Sequence, residues 1–189
     1  MTTISTIPAT LSDLSGNYVI DPAHTRIGFV ARHAMVTKVR GGFNEFEGSA
    51  VVDATDFTKS TGQLTIQAAS IDTRNAQRDA HLRSNDFLAM EEYPQITFVA
   101  TDLRQIGPTT LELTGDLTIR GVTNPVTIPF EFEGAATDPF GNLRIGFEGS
   151  AVINRKDYGI TWNAALETGG VLVSDKITLE FEVSAIKTA

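Results

Sequence analysis

Residues 111–134, LELTGDLTIRGVTNPVTIPFEFEG, decide the fold. Leu111, Leu113, Leu117 and Ile119 recur at every second position, with Glu112, Thr114, Asp116 and Thr118 between them. After GVTNP the alternation resumes, with Val126, Ile128, Phe130 and Phe132 set against Thr127, Pro129 and Glu131. Side chains repeat with period two only in a strand, so each half is a strand with one apolar and one wet face. The Gly and Pro of residues 121–125 mark the turn between them, as in antiparallel pairing.

The same pattern extends outward in both directions. RIGFVARHA places Ile27, Phe29, Ala31 and His33 on one face; QLTIQA does so with Leu64 and Ile66, and ITFVATDL with Ile96, Phe98 and Ala100. DPFGN is a turn signal before Leu143, Ile145 and Phe147, and KITLEFEVSA sets Ile177, Leu179, Phe181 and Val183 opposite Thr178, Glu180, Glu182 and Ser184. About eight such runs with short turns predict an all-β, single antiparallel barrel. A long alternating last strand would be a hazardous free edge, which favours closure. Small inward residues (Ala31, Ala68, Ala100, Gly149) would leave room inside, although alternation reads the same for a packed barrel as for a hollow one.

One segment breaks the period. SIDTRNAQRDAHLRSNDFLAMEEYP, residues 70–94, is rich in helix formers and predicts a short helical insert of one or two helices. Asp72 or Thr73 would cap the first turn and Ser84 a second, with Pro94 after the stop. Residues 1–16, small and polar, are expected to form a mobile leader before a domain spanning 17–189.

The 189 residues suit one domain. Without cysteine there is no disulfide, thiolate zinc site or thiol chemistry, which fits a reducing compartment. Fifteen basic against 23 acidic residues leave a charge of −8, which disfavours nucleic acid as a partner. The N-terminal stretch lacks a basic region and an apolar run, and no apolar stretch is long enough to span a bilayer; a cytoplasmic protein without stable membrane insertion is expected. No nucleophile elbow and no glycine-rich phosphate loop is present, so no catalytic residue is assigned and the chain reads as a non-enzyme. His24 and His33 are separated by an odd offset and would face opposite ways on an unbroken strand, which argues against a metal site.

Taken in order, YVIDPAHTRIGFVARH, GGFNEFEG, the 70–98 segment, GDLTIRGVTNPV and NRKDYGI resemble the motifs of the YceI-like family from about Tyr18 to Ile186. Tyr18 stands where the family often carries Trp. The resemblance implies an elongated lipocalin-like barrel around an apolar tunnel. It also implies non-catalytic binding, storage or transport of a long-chain isoprenoid lipid, such as an isoprenoid quinone or polyprenyl phosphate, and a homodimer. The lipid would be cargo, with no separate cofactor. The tunnel residues so expected are Phe29, Ala31, Phe46, Ile66, Phe98, Ile119, Phe130, Ile145, Phe147 and Phe181; the polar mouth is expected from His33, Arg78 and His81. RDAHLR either ties the insert to the wall or meets a headgroup through Arg74, Arg78, His81 or Arg83. NRKDYGI reads as a strand-end turn in which Asp157 pairs with a basic neighbour and Tyr158 covers the barrel end. The alternatives are a packed barrel that binds a protein partner and, below it, a hydrolase using the Arg/Asp/His cluster.

Overall fold

The computed structural model describes residues 8–189. The hairpin predicted at 111–132 is β8 (Thr110–Ile119) and β9 (Val122–Thr137), paired antiparallel from Thr110↔Glu131 to Ile119↔Val122. Its turn is tighter than GVTNP suggested. Arg120 (φ 51°) and Gly121 (φ 73°) are both left-handed, the two-residue connection whose twist matches the strands. Val122 to Pro125 therefore already belong to β9. Pairing of β9 with β10 (Leu143–Asn154) stops at Phe130↔Gly149, so Pro125 and Pro129 lie beyond that ladder, where a missing N–H costs nothing.

The other strands are β1 (Gly16–Ile20), β2 (Arg26–His33), β3 (Thr37–Phe43), β4 (Phe46–Val52), β5 (Thr61–Gln67), β6 (Ile71–Asp72), β7 (Gln95–Gln105) and β11 (Lys176–Lys187). Eight of them close a barrel in the order β1-β4-β5-β7-β8-β9-β10-β11, with β11 pairing back to β1. Beyond that ring, β11 continues to β2, then β3 and β6. Thus β1 and β2 are two parts of one long strand, broken by a 3-10 turn at Pro22–His24, and both pair with the single strand β11. The sheet is all antiparallel, and the lipocalin-like barrel of eight strands with one helix matches the expectation.

The helical insert is a single helix, α1 (Ala76–Arg83), followed by turns to Tyr93. Its caps differ from the expected ones. Asn75 accepts from the Arg78 N–H at 3.0 Å and is the N-cap, while Ser84 ends the helix and donates its hydroxyl to His81 O at 2.6 Å. Asp72 is occupied instead by the Arg74 N–H and the Asn44 amide, and Thr73 by Asp79.

Two apolar clusters mark the two ends of the barrel. One gathers Leu11, Leu14, Tyr18, Phe57, Leu111, Ile145 and Ala185; the other includes Ile66, Phe87, Ile96, Ile119, Ile128, Ile153, Tyr158 and Ile160. β8 runs from Leu111 in the first to Ile119 in the second, roughly 26 Å of strand. The first cluster corrects the expected leader. Residues 1–7 lie outside the described residues, but a 3-10 turn at Leu11–Asp13 drives Leu11 and Leu14 into the barrel end, each 1% exposed. The Tyr18 hydroxyl fixes this plug by donating to Leu14 O at 2.9 Å. Apolar residues at a spacing of three among Ser and Thr are short of a strand or helix pattern, which is why the segment reads as unstructured.

On the outer wall Arg144 of β10 bridges Asp21 at 2.5 Å and Asp138 at 2.8 Å, tying the β1–β2 break to the β9–β10 turn. Partial desolvation opposes ionisation of Asp138. The Asn142 and Phe140 N–H groups, the Asn142 amide and Arg144 nevertheless donate to it and hold its pKa down at about 2.

Two outcomes are expected. Leu14→Ala should cost about 2–5 kcal/mol in urea unfolding, because the transfer loss adds to a cavity at a sealed end. A depressed carboxylate contributes stability that is complete above its unfolded pKa and lost as pH falls through the folded value. The 138–144 turn should therefore stay ordered at pH 4 and loosen as pH drops toward about 2, read by the carboxyl shift of Asp138 in NMR.

Candidate functional site: an apolar cavity along the barrel axis

The barrel is hollow. A cavity of about 370 Å³ is lined by residues of both end clusters, from Leu14, Tyr18 and Leu111 to Ile119, Tyr158 and Ile160. A barrel packed solid would leave no such space, and the volume lies within the range of ligand pockets. Of the expected tunnel residues, Phe29, Ala31, Ile66, Phe98, Ile119, Phe130, Ile145, Phe147 and Phe181 line it. Phe46 does not; it is buried in the cluster at the α1 end, paired with Ile66. Ala68 likewise leaves no room, because it packs at 1% exposure in a 3-10 turn. Ala31 and Ala100 do line the lumen.

The cavity stays open because several phenylalanines lie along the wall and not across it. Phe29 is paired with Gly41, and a Cβ on Gly41 would come within 2.5 Å of the Phe29 ring. Phe130 is paired with Gly149 and covers it in the same way, and the Phe98 ring covers Gly115 on β8. Each ring fills the place of an absent side chain on the next strand, which covers the backbone with apolar surface and spares the axis.

At the α1 end the segment 155–175 folds over the barrel, held by one buried cation. Arg155, 3% exposed, donates to the carbonyls of Ser174 (2.9 Å), Ile160 (2.8 Å), Trp162 (2.8 Å) and Val173 (3.3 Å). Burial pushes its pKa down and Asp175, 3.6 Å away, pushes it back up. This corrects the expected partner: Asp175, not Asp157, meets the basic residues Arg155 and Lys156, while the Asp157 carbonyl accepts from the Asn124 amide. Tyr158 is buried and lines the cavity. Sequence reasoning did not single out Arg155, Leu82, Phe87 or Val173, since nothing local separates a turn arginine from a buried one.

The expected polar mouth separates into distinct structural roles. Arg78 donates from Nε to Thr73 Oγ1 and from Nη2 to Thr73 O, both at 2.7 Å. Buried Asp79 accepts from the Thr73 N–H (2.9 Å) and hydroxyl (2.5 Å), and Arg83 donates to the carbonyls of Ala69 and Ile71. The knot therefore fastens α1 to the wall. His81 contacts Asp86 at 2.8 Å and stacks edge-on against Phe87 and Trp162, with ring centroids 5.0 and 4.6 Å away. His33 ends β2, bridged to Val173, and lines a separate groove with Arg78. His24 contacts Asp21 at 2.7 Å on the β1–β2 turn. Among the described residues no group of three or more His, Asp or Glu side chains is placed to hold a metal ion.

Gly149→Ala tests the wall arrangement. Its Cβ would meet the Phe130 ring at 2.7 Å and Pro129 O at 2.8 Å, so the ring must swing toward the axis. A loss of about 1–3 kcal/mol is expected in chemical denaturation, as for other overpacked positions.

Comparison with known proteins agrees with this architecture. The sequence profile of the YceI-like domain matches residues 18–185. The chain is 39% identical over 170 residues to UPF0312 protein SAS2572 of Staphylococcus aureus strain MSSA476, covering 89% of this chain and 95% of that one. The Campylobacter jejuni YCEI crystal structure superposes with a TM-score of 0.71 at 30% identity, covering 84% of this chain and 90% of that one. Two more distant structures share the fold. Burkholderia cenocepacia BcnA gives a TM-score of 0.76 at 24% identity, covering 87% of this chain and 98% of that one. A polyisoprenoid binding domain from Saccharophagus degradans gives 0.70 at 16%, covering 90% and 98%. With a profile match over nearly the whole barrel and a relative this similar along its length, the chain belongs to the YceI-like family.

Proposed function

We propose that this protein binds a long-chain isoprenoid lipid in its barrel, for storage or transport, without chemistry on it. The observation that carries the reading is the cavity: about 370 Å³, lined almost wholly by aliphatic and aromatic side chains, and reaching between the two end clusters. Its length suits a chain and not a compact ligand. Burying methylene-type carbon is worth about 0.8 kcal/mol per group, so four isoprene units would contribute more than ~12 kcal/mol gross, against ligand ordering. The fold relative described as a polyisoprenoid binding domain supports the same class of cargo. An isoprenoid quinone or a polyprenyl phosphate fits this reading.

The homodimer expected from the family resemblance is part of the proposal. An uncharged outer row, Val19–Ser49–Gln63–Val99, crosses β1, β4, β5 and β7 with Val19 and Val99 exposed. On a chain of charge −8 such a strip is where two copies approach with least repulsion. Sedimentation would read the oligomeric state.

Native mass spectrometry of protein purified from its own host, followed by organic extraction, tests the cargo. A stoichiometric isoprenoid adduct is expected. Ala31→Trp should abolish the adduct while leaving the thermal midpoint within a few degrees, since the new ring occupies empty lumen. An unliganded mass that stays unchanged after incubation with polyprenyl lipids would sink the proposal.

A further inference from the structure

At the α1 end of the barrel, the β2–β3 hairpin and the loop from β6 into α1 border an open surface groove lined by His33, Lys38, Arg40, Thr73, Arg74 and Arg78. Arg40 shares Glu180 with Arg26, at 3.7 Å, and Arg78 is held by Thr73. Lys38 makes no ion pair among the described residues, Arg74 has Asp72 beside it, which accepts its backbone N–H, and Arg32 on the same hairpin gives only a long bond to Val36 O. The acidic residues of the same loops are Asp72, Asp79, Glu167 and Asp175. Asp79 is buried under Thr73, Asp175 is paired with Lys156, Asp72 accepts from the Arg74 N–H and the Asn44 amide, and Glu167 is exposed; none of the four lines the groove, whose charged lining residues are all basic on a protein of charge −8.

Directly above that groove the hairpin ends in an apolar tip. Met35 is 63% exposed and Val36 75%, and Val171 on the adjoining loop is 40% exposed. The tip is held out by its backbone: Ala34 and Met35 are both left-handed (φ 51° and 62°), and the Ala34 N–H donates to Leu172 O at 2.8 Å. Met35 lies over Gly170, which joins the hairpin to the 165–171 loop. The tip continues the cavity wall, since Ala31, which lines the lumen, precedes His33 on the same face of β2.

We propose that this end of the molecule docks on an anionic lipid bilayer, with Met35 and Val36 entering the interface and the Lys38, Arg40, Arg74 and Arg78 groove facing headgroup phosphates. Exposed apolar side chains flanked by cations are what such an interface binds; each basic group near the surface adds attraction within a Debye length. The net negative charge disfavours every other approach, so the contact also orients the barrel with its α1 end toward the membrane. The proposal goes beyond cargo binding and rests on that reading only in that a lipid carrier must meet a membrane.

Vesicle flotation with the full chain decides it, using phosphatidylcholine vesicles with and without phosphatidylglycerol at low and high salt. Co-flotation with the anionic vesicles, released by salt, is expected. Lys38→Gln with Arg74→Asn should lower the partition roughly 25-fold, about fivefold for each cation removed. Met35→Asn with Val36→Ser should weaken it as well, and asparagine suits the left-handed backbone at positions 35 and 74. Thermal midpoints of both double variants are expected to match the parent, because all four side chains project from the surface. Absence of binding, equal binding to neutral vesicles, or double variants that float like the parent would each overturn the proposal. Native mass spectrometry of the same samples separates the two readings. Vesicle binding without a bound isoprenoid leaves docking standing and removes the cargo, whereas a retained isoprenoid without vesicle binding does the reverse.

Discussion

Everything in this molecule depends on the last strand reaching the first. β11 pairs with β10 along its whole length, from Arg144↔Ile186 to Asn154↔Lys176. Its other edge is divided between β1 and β2, at Ile20↔Ala185 and Glu182↔Arg26. Because the N-terminal strand bends at Pro22, one straight strand serves both halves. Closure pairs the first and last strands of the ring, leaving edges at the β2–β3–β6 extension, and it forces alternate side chains inward along the strands of the ring. The cavity follows from that closure together with the choice of inward residues.

A barrel of eight strands is just wide enough for its own side chains to fill it. Here the filling is withheld in the middle and supplied at the ends. Gly41, Gly115 and Gly149 let neighbouring rings lie against the wall, while Leu11, Leu14 and Phe57 close one end and Phe87, Tyr158 and Trp162 gather at the other. The polar work is also concentrated at the ends. Arg155 satisfies four carbonyls of the covering segment, and Arg78, Asp79 and Thr73 fasten the helix. Among the described residues no buried side-chain nitrogen or oxygen is left without a partner. The two ends therefore differ in kind. One is sealed by apolar packing, while the other is a hydrogen-bonded cover beside a cationic groove and an apolar tip.

The alternation at Leu111–Ile119 and Val126–Phe132 made the strand pairing, the inward face and most of the cavity lining readable in advance, because period two is a local consequence of backbone geometry. Where a β-bulge shifts the phase, as between Ala100 and Asp102, the inward set moves from Ile96, Phe98 and Ala100 to Leu103, and only the partner strand reveals it. The capping rule selects Asp72 or Thr73 over Asn75 because it does not see that Asp72 is taken by the Arg74 N–H and the distant Asn44 amide, and Thr73 by Asp79 and Arg78. The plug at Leu11 and Leu14 was missed for the same reason: two leucines among small polar residues gain an identity only when a barrel end is there to receive them.

By itself, then, the sequence determined an antiparallel all-β chain, most of its inward residues and its family, since these rest on side-chain period and on motifs in order. The tertiary structure alone decided whether the middle was full or empty, and it is the pairing of Phe29 with Gly41 and Phe130 with Gly149 that left it empty. It alone showed Arg78 and Asp79 bonded to Thr73 and Arg83 to the Ala69 and Ile71 carbonyls, and brought Lys38 beside Arg74. The physical reason is common to both. Inward direction is set within one strand, whereas occupancy of a volume and the sum of a field depend on which residues closure brings together from distant parts of the chain.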